Sequence, residues 1–246
     1  MAHTAINLYS VRELDEPMLD IIDRVADAGY DGVQISGGFR DSTPKAVAER
    51  IEERGLGVTP AHIDMDQLED NFEETLADYG ETLGAPGAVV PWLSDDHFES
   101  RDAVDETAER MASLADKLQE HGWKLHYHNH AHEFVDLGGE NAFERFIRKS
   151  GDDVLLELDV GWALVGGSDP VELIEKYGDR IDVLHMKDMV TTEDRGFREI
   201  GDGEVDMAAC AEAGRAVGVD WLIYEHDEPT DPAASLDFGA EFLDDL

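Results

Sequence analysis

The sequence predicts a single (β/α)8 barrel spanning residues 1–246. Three observations lead there: eight short strand-like runs alternate with longer amphipathic stretches, no linker or compositional break divides them, and 246 residues suit one such barrel. The first strand, TAINLYS (4–10), precedes a helical stretch at 15–29 closed by Gly29. DGVQIS (31–36) precedes 44–54, which Thr43-Pro44 opens as cap and first-turn proline and Gly55 closes. LGVTPAHI (56–63) leads to 66–83 and Gly84; GAVVPW (87–92) leads to 97–121 and Gly122. WKLHYHN (123–129) is followed by 140–149 and Gly151, and VLLELD (154–159) by 170–178 and Gly178. Asp169-Pro170 with Glu172 caps the latter helix. IDVLHMK (181–187) precedes 206–217 and Gly218, and WLIYE (221–225) precedes 233–245, opened by Asp231-Pro232. Each closing glycine supplies a left-handed C-cap. A doubly wound sheet is the alternative, but it wants a Gly-rich loop after its first strand, and NLYSVRELDEP contains no glycine.

Charge limits the function classes. With 58 Asp+Glu against 19 Lys+Arg the formal net charge is −39, spread over nearly every helix. A dispersed acidic coat with 13 Arg to 6 Lys is the pattern of a halophilic protein, whose charges concentrated salt screens. The same charge argues against a nucleic-acid partner. A 42% hydrophobic content excludes disorder, and no apolar run approaches the roughly 18 residues of a membrane span. The start, MAHTAINLYSVRE, has neither a basic region nor a long apolar stretch, so a cytoplasmic location is expected. Cys210 is the single cysteine, which rules out an internal disulfide framework.

Barrel chemistry sits where strands end, and the last four strands end in polar residues. Alternation points Glu157 and Asp159 inward on the sixth, His185 and Lys187 on the seventh, and Glu225 on the eighth. Asp159, His185 and Glu225 therefore converge, and a fourth ligand from the fifth strand completes a site for Mn²⁺, Mg²⁺, Co²⁺ or Zn²⁺. His128 and His130 lie near the mouth, Glu133 just beyond the strand, and His126 deeper as a packed residue. His3, His97 and His121 read as surface residues.

The whole chain resembles the sugar phosphate isomerase/epimerase superfamily, the xylose isomerase-like barrels. The resemblance rests on RVADAGYDGVQISG (24–37), LHYHNHAHEF (125–134), LELDVGWALVGGSDPVELIEKYGDRI (156–181), VLHMKD (183–188), IGDGEVD (200–206) and YEHD (224–227). It implies one divalent metal held by Glu, Asp, His and Glu from the fifth to eighth strands. Asp159, His185 and Glu225 match that motif. Glu133 supplies the first Glu, while His128 occupies the place some relatives give to a strand-borne glutamate. Trp162 stands where the ketose epimerases carry a histidine, which sets the chain apart from them.

The implied activity is a metal-dependent sugar isomerase or epimerase acting on a sugar, polyol or keto-sugar through an enediolate. Glu133 and Glu225 are the expected proton-transfer pair. Tyr9, His62, His128, His130, Trp162 and Lys187 are the expected substrate contacts, with Trp92 beside them. A phosphate group is disfavoured: Arg195 and Arg198 follow the seventh strand, but Glu193, Asp194, Glu199, Asp202 and Glu204 surround them. The alternatives are a metal-dependent lyase resembling inosose dehydratase or eliminating from a keto-glycoside, and a non-catalytic sugar-binding module. A homo-oligomer is compatible with either.

Overall fold

The computed structural model describes residues 2–192 and 195–246, so the expected acidic neighbours Glu193 and Asp194 lie outside the described residues. The barrel strands are β1 (His3–Asn7), β2 (Gly32–Gln34), β3 (Gly57–Val58), β4 (Ala61–His62), β5 (Gly87–Val90), β6 (Lys124–His128), β7 (Val154–Asp159) and β8 (Ile181–Met186). A small antiparallel pair follows, β9 (Asp188–Met189) with β10 (Phe197–Arg198), and then the last barrel strand, β11 (Trp221–Tyr224). The parallel sheet runs β3-β2-β1-β11-β8-β7-β6-β5-β4. Its two ends are halves of one expected strand, split at Thr59-Pro60, where proline supplies no ladder N–H. Thr59 N donates to Val33 O (3.2 Å) and His62 N to Ile35 O (2.9 Å), so the ring nearly closes across the break.

The main helices are α1 (Met18–Ala28), α2 (Pro44–Arg54), α3 (Met65–Asp70), α4 (Phe72–Thr75), α5 (Arg101–Gln119), α6 (Ala142–Lys149), α7 (Val160–Val165), α8 (Pro170–Tyr177), α9 (Met207–Val217) and α10 (Pro232–Asp245). Thr43, Asp169 and Asp231 accept backbone N–H bonds as the expected caps. The stretch 66–83 is not one helix. Asn71 leaves helical geometry (φ −124°, ψ 35°) between α3 and α4, and a π turn continues from Leu76 to Thr82. Gly178 also departs from expectation. It stays right-handed (φ −53°), and glycine is needed because an added Cβ would meet Val217 Cγ1 at 2.6 Å.

The barrel interior is divided by height. Ala5, Val183 and Ile223 pack with Trp221 as a small apolar plug. The register shifts between Leu156↔Ile181 and Glu157↔Val183, leaving Asp182 as an extra residue on β8. Its carboxylate meets His126 Nε2 and Lys124 Nζ, both at 2.7 Å. His126 is thus a buried, hydrogen-bonded residue, as its depth suggested. Burial pushes the Asp182 carboxyl up, but His126 and Lys124 outweigh it and hold the group at about 2. A depressed carboxyl contributes stability above its unfolded value near 4 and loses that contribution as pH falls towards 2. Asp182→Asn should therefore be less stable than wild type by about 2 kcal/mol at pH 7. In urea melts the gap should close between about pH 4 and pH 2; a gap independent of pH would show that the charge contributes nothing.

Candidate metal centre

Asp159 shows how the chain builds the site. It ends β7 and is also the N-cap of α7, a helix the sequence did not announce. Its Oδ1 accepts from Trp162 N (2.8 Å), while its backbone N donates to Asn129 Oδ1 (2.9 Å) and its O accepts from Asn129 Nδ2 (3.2 Å). One bond holds the carboxylate through Oδ1 and two hold its backbone, which leaves Oδ2 turned to the cluster. Gly161 lets α7 start against β8, since a Cβ there would lie 2.6 Å from Lys187 O.

Around Oδ2, donor atoms of His128, Asp159, His185 and Glu225 all lie within 4.8 Å of one another. All four residues are buried. His128 Nε2 is 3.3 Å from Asp159 Oδ2 and 3.6 Å from Glu225 Oε2, and His185 Nδ1 is 2.9 Å from Glu225 Oε2. Both ring nitrogens of His128 are buried without a well-aligned hydrogen bond, and Asp159 Oδ2 has only the Lys187 ammonium, at 3.0 Å, as an ion-pair partner. Such orphaned atoms are costly in a dry interior. Two imidazoles and two carboxylates gathered this closely suit a borderline divalent cation such as Zn²⁺, Co²⁺ or Mn²⁺, whose binding would displace the ring protons.

Of the two fifth-strand alternatives, the geometry brings His128 into the cluster and leaves Glu133 out. Glu133 is fully buried; Tyr127 Oη donates to its Oε1 (2.7 Å) and His130 N to its Oε2 (2.8 Å). It does not line the cavity. A residue past the end of a strand has no fixed parity, so the sequence did not reveal this turn away from the cavity towards Tyr127. Burial raises its carboxyl.

Lys187 is buried against the cluster. Its Nζ is 3.0 Å from Asp159 Oδ2, 2.7 Å from Glu225 Oε2 and 2.9 Å from Asp227 Oδ1. Burial opposes the charge, yet these three carboxylates hold the ammonium well above its usual range. Glu225 is held well below the usual carboxylate range against burial, by Lys187 and His185. Burial alone would lower His128 and His185, but Asp159 and Glu225 hold the first at about 10, and Glu157 and Glu225 hold the second at about 9. His130 falls well below its usual value through burial and the neighbouring His128 and Lys187.

The cluster opens into a mouth cavity of about 830 Å³ that includes Tyr9, His62, Trp92, His128, His130, Trp162, Lys187, Glu225 and Asp227. All the expected substrate contacts therefore line one space. Trp162 is buried beside His130 and lies 5.4 Å from Lys187 Nζ, whereas Tyr9 and Trp92 are rim residues, 40% and 54% exposed. Arg195 reaches the cavity but pairs with Glu228 at 2.7 Å. The loop after β9 and β10 folds on Asp188, whose carboxylate accepts from Gly201 N (2.8 Å) and Gly203 N (2.9 Å), so its glycines bind protein. His3 and His121 are exposed; His97 is half-buried and bonds Thr107 Oγ1 (2.9 Å). Sequence reasoning missed Asp227, which shares Glu225's parity two residues on, and Gln34, a polar residue inside an apolar strand.

Comparison with known proteins agrees with the fold. The family described as xylose isomerase-like TIM barrel matches residues 22–246. The chain is 28% identical over 256 residues to inosose dehydratase of Geobacillus kaustophilus, covering 87% of this chain and 81% of that one. It is 26% identical over 254 residues to inosose dehydratase of Lacticaseibacillus casei, covering 88% and 84%. A sugar phosphate isomerase/epimerase of Parabacteroides distasonis superposes with a TM-score of 0.80 at 24% identity, covering 99% and 94%. The IolI protein, solved with a bound zinc atom, superposes with a TM-score of 0.78 at 17% identity, covering 99% and 97%.

Proposed function

The chain belongs to the xylose isomerase-like TIM barrel family, and from that premise we propose that it is a divalent-metal-dependent lyase that removes a β-hydroxyl group from a keto-polyol or keto-sugar. His128, Asp159, His185 and Glu225 hold the ion. A cation there supplies Lewis-acid polarisation of a carbonyl and its neighbouring hydroxyl. Glu225 takes the proton from the carbon beside the carbonyl, and the electron pair becomes the enolate double bond. As that pair expels the β-hydroxyl, Glu225 returns the proton to it and water leaves. Lys187 offers a fixed positive charge to oxygen as charge develops. Tyr9 and Trp92 at the rim, with Trp162 deeper, give apolar faces for the carbon skeleton.

The observation that carries this reading is the position of Glu133. Epimerisation by two bases needs a second carboxylate facing the first across the substrate. Glu133 is outside the cavity, Asp227 is tied to the same ammonium as Glu225, and Asp64 sits at the exposed rim. One carboxylate serves an elimination on one face. The naming of the relatives as inosose dehydratases supports the same choice. Isomerisation shares the first proton removal, so product identity separates the two. Metal-loaded protein incubated with keto-polyols in D₂O should give dehydrated product by NMR. Deuterium entering the C–H position with every hydroxyl retained would make it an isomerase or epimerase, and no change would make it a binding module.

The dispersed −39 charge supports a halophilic setting. Self-repulsion of the compact state is screened within about 3 Å at 1 M salt against about 10 Å at 0.1 M. Melting temperature should therefore climb from low to molar KCl; a flat profile would assign the acidic surface another role.

A further inference from the structure

Beneath the four-donor cluster lies a second buried group, His62, Glu157 and His185, whose donor atoms also fall within 4.8 Å of one another. The two groups differ in one respect. The upper one contains orphaned atoms, and the lower one contains none. Glu157 Oε1 meets His62 Nε2 at 2.6 Å and His185 Nε2 at 2.9 Å, and Gln34 Nε2 donates to Glu157 Oε2 (2.6 Å). Gln34 is oriented in turn, because its Nε2 also donates to Pro60 O (2.9 Å) and its Oε1 accepts from Asn7 Nδ2 (2.7 Å). His185 Nε2 is also 2.8 Å from Gln34 Oε1. The lower group is therefore a closed hydrogen-bond network, with no lone pairs waiting for a second ion.

That network fixes a tautomer. His185 Nε2 faces two acceptor oxygens, so it must carry a hydrogen. With that hydrogen held on Nε2, Nδ1, which lies 2.9 Å from Glu225 Oε2, is the ring nitrogen that gives up its hydrogen when a cation enters the upper cluster. We propose that Glu157 is a positioning residue for the metal centre: it holds His185 with Nε2 protonated and Nδ1 presented to the cation. Through the same oxygen it orients His62, which lines the cavity. An outer carboxylate behind a ligand imidazole both sets the ring angle and strengthens its donor nitrogen. This role rests on the metal reading above and assigns no substrate contact to Glu157.

The test compares Zn²⁺ affinity of wild type, Glu157→Gln and Glu157→Ala by chelator competition, with circular dichroism to confirm folding. Removing such a partner typically weakens metal binding about 10- to 100-fold, and that loss is expected in both variants with secondary structure kept. A merely structural role would lower the melting temperature and leave the affinity of folded protein unchanged. A second measurement needs no variant: NMR of zinc-loaded wild type with ¹⁵N-labelled histidine should place the His185 ring hydrogen on Nε2. Zinc bound within about twofold of wild type by folded Glu157→Gln, or a ring hydrogen on Nδ1, overturns the role of Glu157 alone. Wild type that takes up no Zn²⁺, Co²⁺ or Mn²⁺ overturns the metal reading together with it.

Discussion

Glu225→Gln should lower turnover by at least about 10²-fold on a confirmed substrate while leaving the fold intact, because a positioned general base contributes about 10²–10⁴-fold. The amide keeps the shape and an oxygen donor, but it cannot accept the C–H proton. Its contacts predict where secondary effects arise: Lys187 loses its 2.7 Å partner and His185 its 2.9 Å partner, so metal content must be measured alongside turnover. Glu133→Gln gives the contrast. Glu133 spends both oxygens on Tyr127 and the His130 backbone, and losing one such bond costs about 1 kcal/mol, less than tenfold in rate. Equal losses in the two variants would restore Glu133 as a second base and with it the epimerase reading. Near wild-type turnover in metal-bound Glu225→Gln would move the proton transfer to His128, His130 or Lys187.

Much of this was legible in the sequence because strand parity is strict. Leu156 and Leu158 pack outward, which obliges Glu157 and Asp159 to point in, and the same alternation places His185, Lys187 and Glu225. The barrel's order was legible for a similar reason, since caps and C-terminal glycines mark helix ends locally. The misses came where local rules stop. Glu133 lies beyond its strand, and its partners are brought to it by a short turn at His132–Phe134 that alternation does not describe. The break at Thr59-Pro60 reads as one continuous strand until ring closure makes two strands share it. Helix α7 was hidden because Asp159 reads as a ligand, and its second duty as an N-cap shows only when Oδ1 is found on Trp162 N. Glu157 was visible as an inward polar residue and Gln34 was missed, because the partners that give them roles are far apart in sequence.

The centre itself is most directly tested by metal analysis of the wild type beside the double variant Asp159→Ala/His185→Ala. Each substitution removes one donor of the four within 4.8 Å, one carboxylate and one imidazole. Two donors do not make a tight site for a borderline cation, which usually takes at least three protein ligands. The double variant also leaves Lys187 with Glu225 and Asp227 as ion-pair partners, so the buried ammonium is not stranded and the barrel should still fold. After loading with Zn²⁺, Co²⁺ or Mn²⁺ and desalting, wild type should retain about one equivalent per chain and the double variant close to none. Equal metal content in the two folded proteins would contradict the assignment of His128, Asp159, His185 and Glu225 as the metal centre.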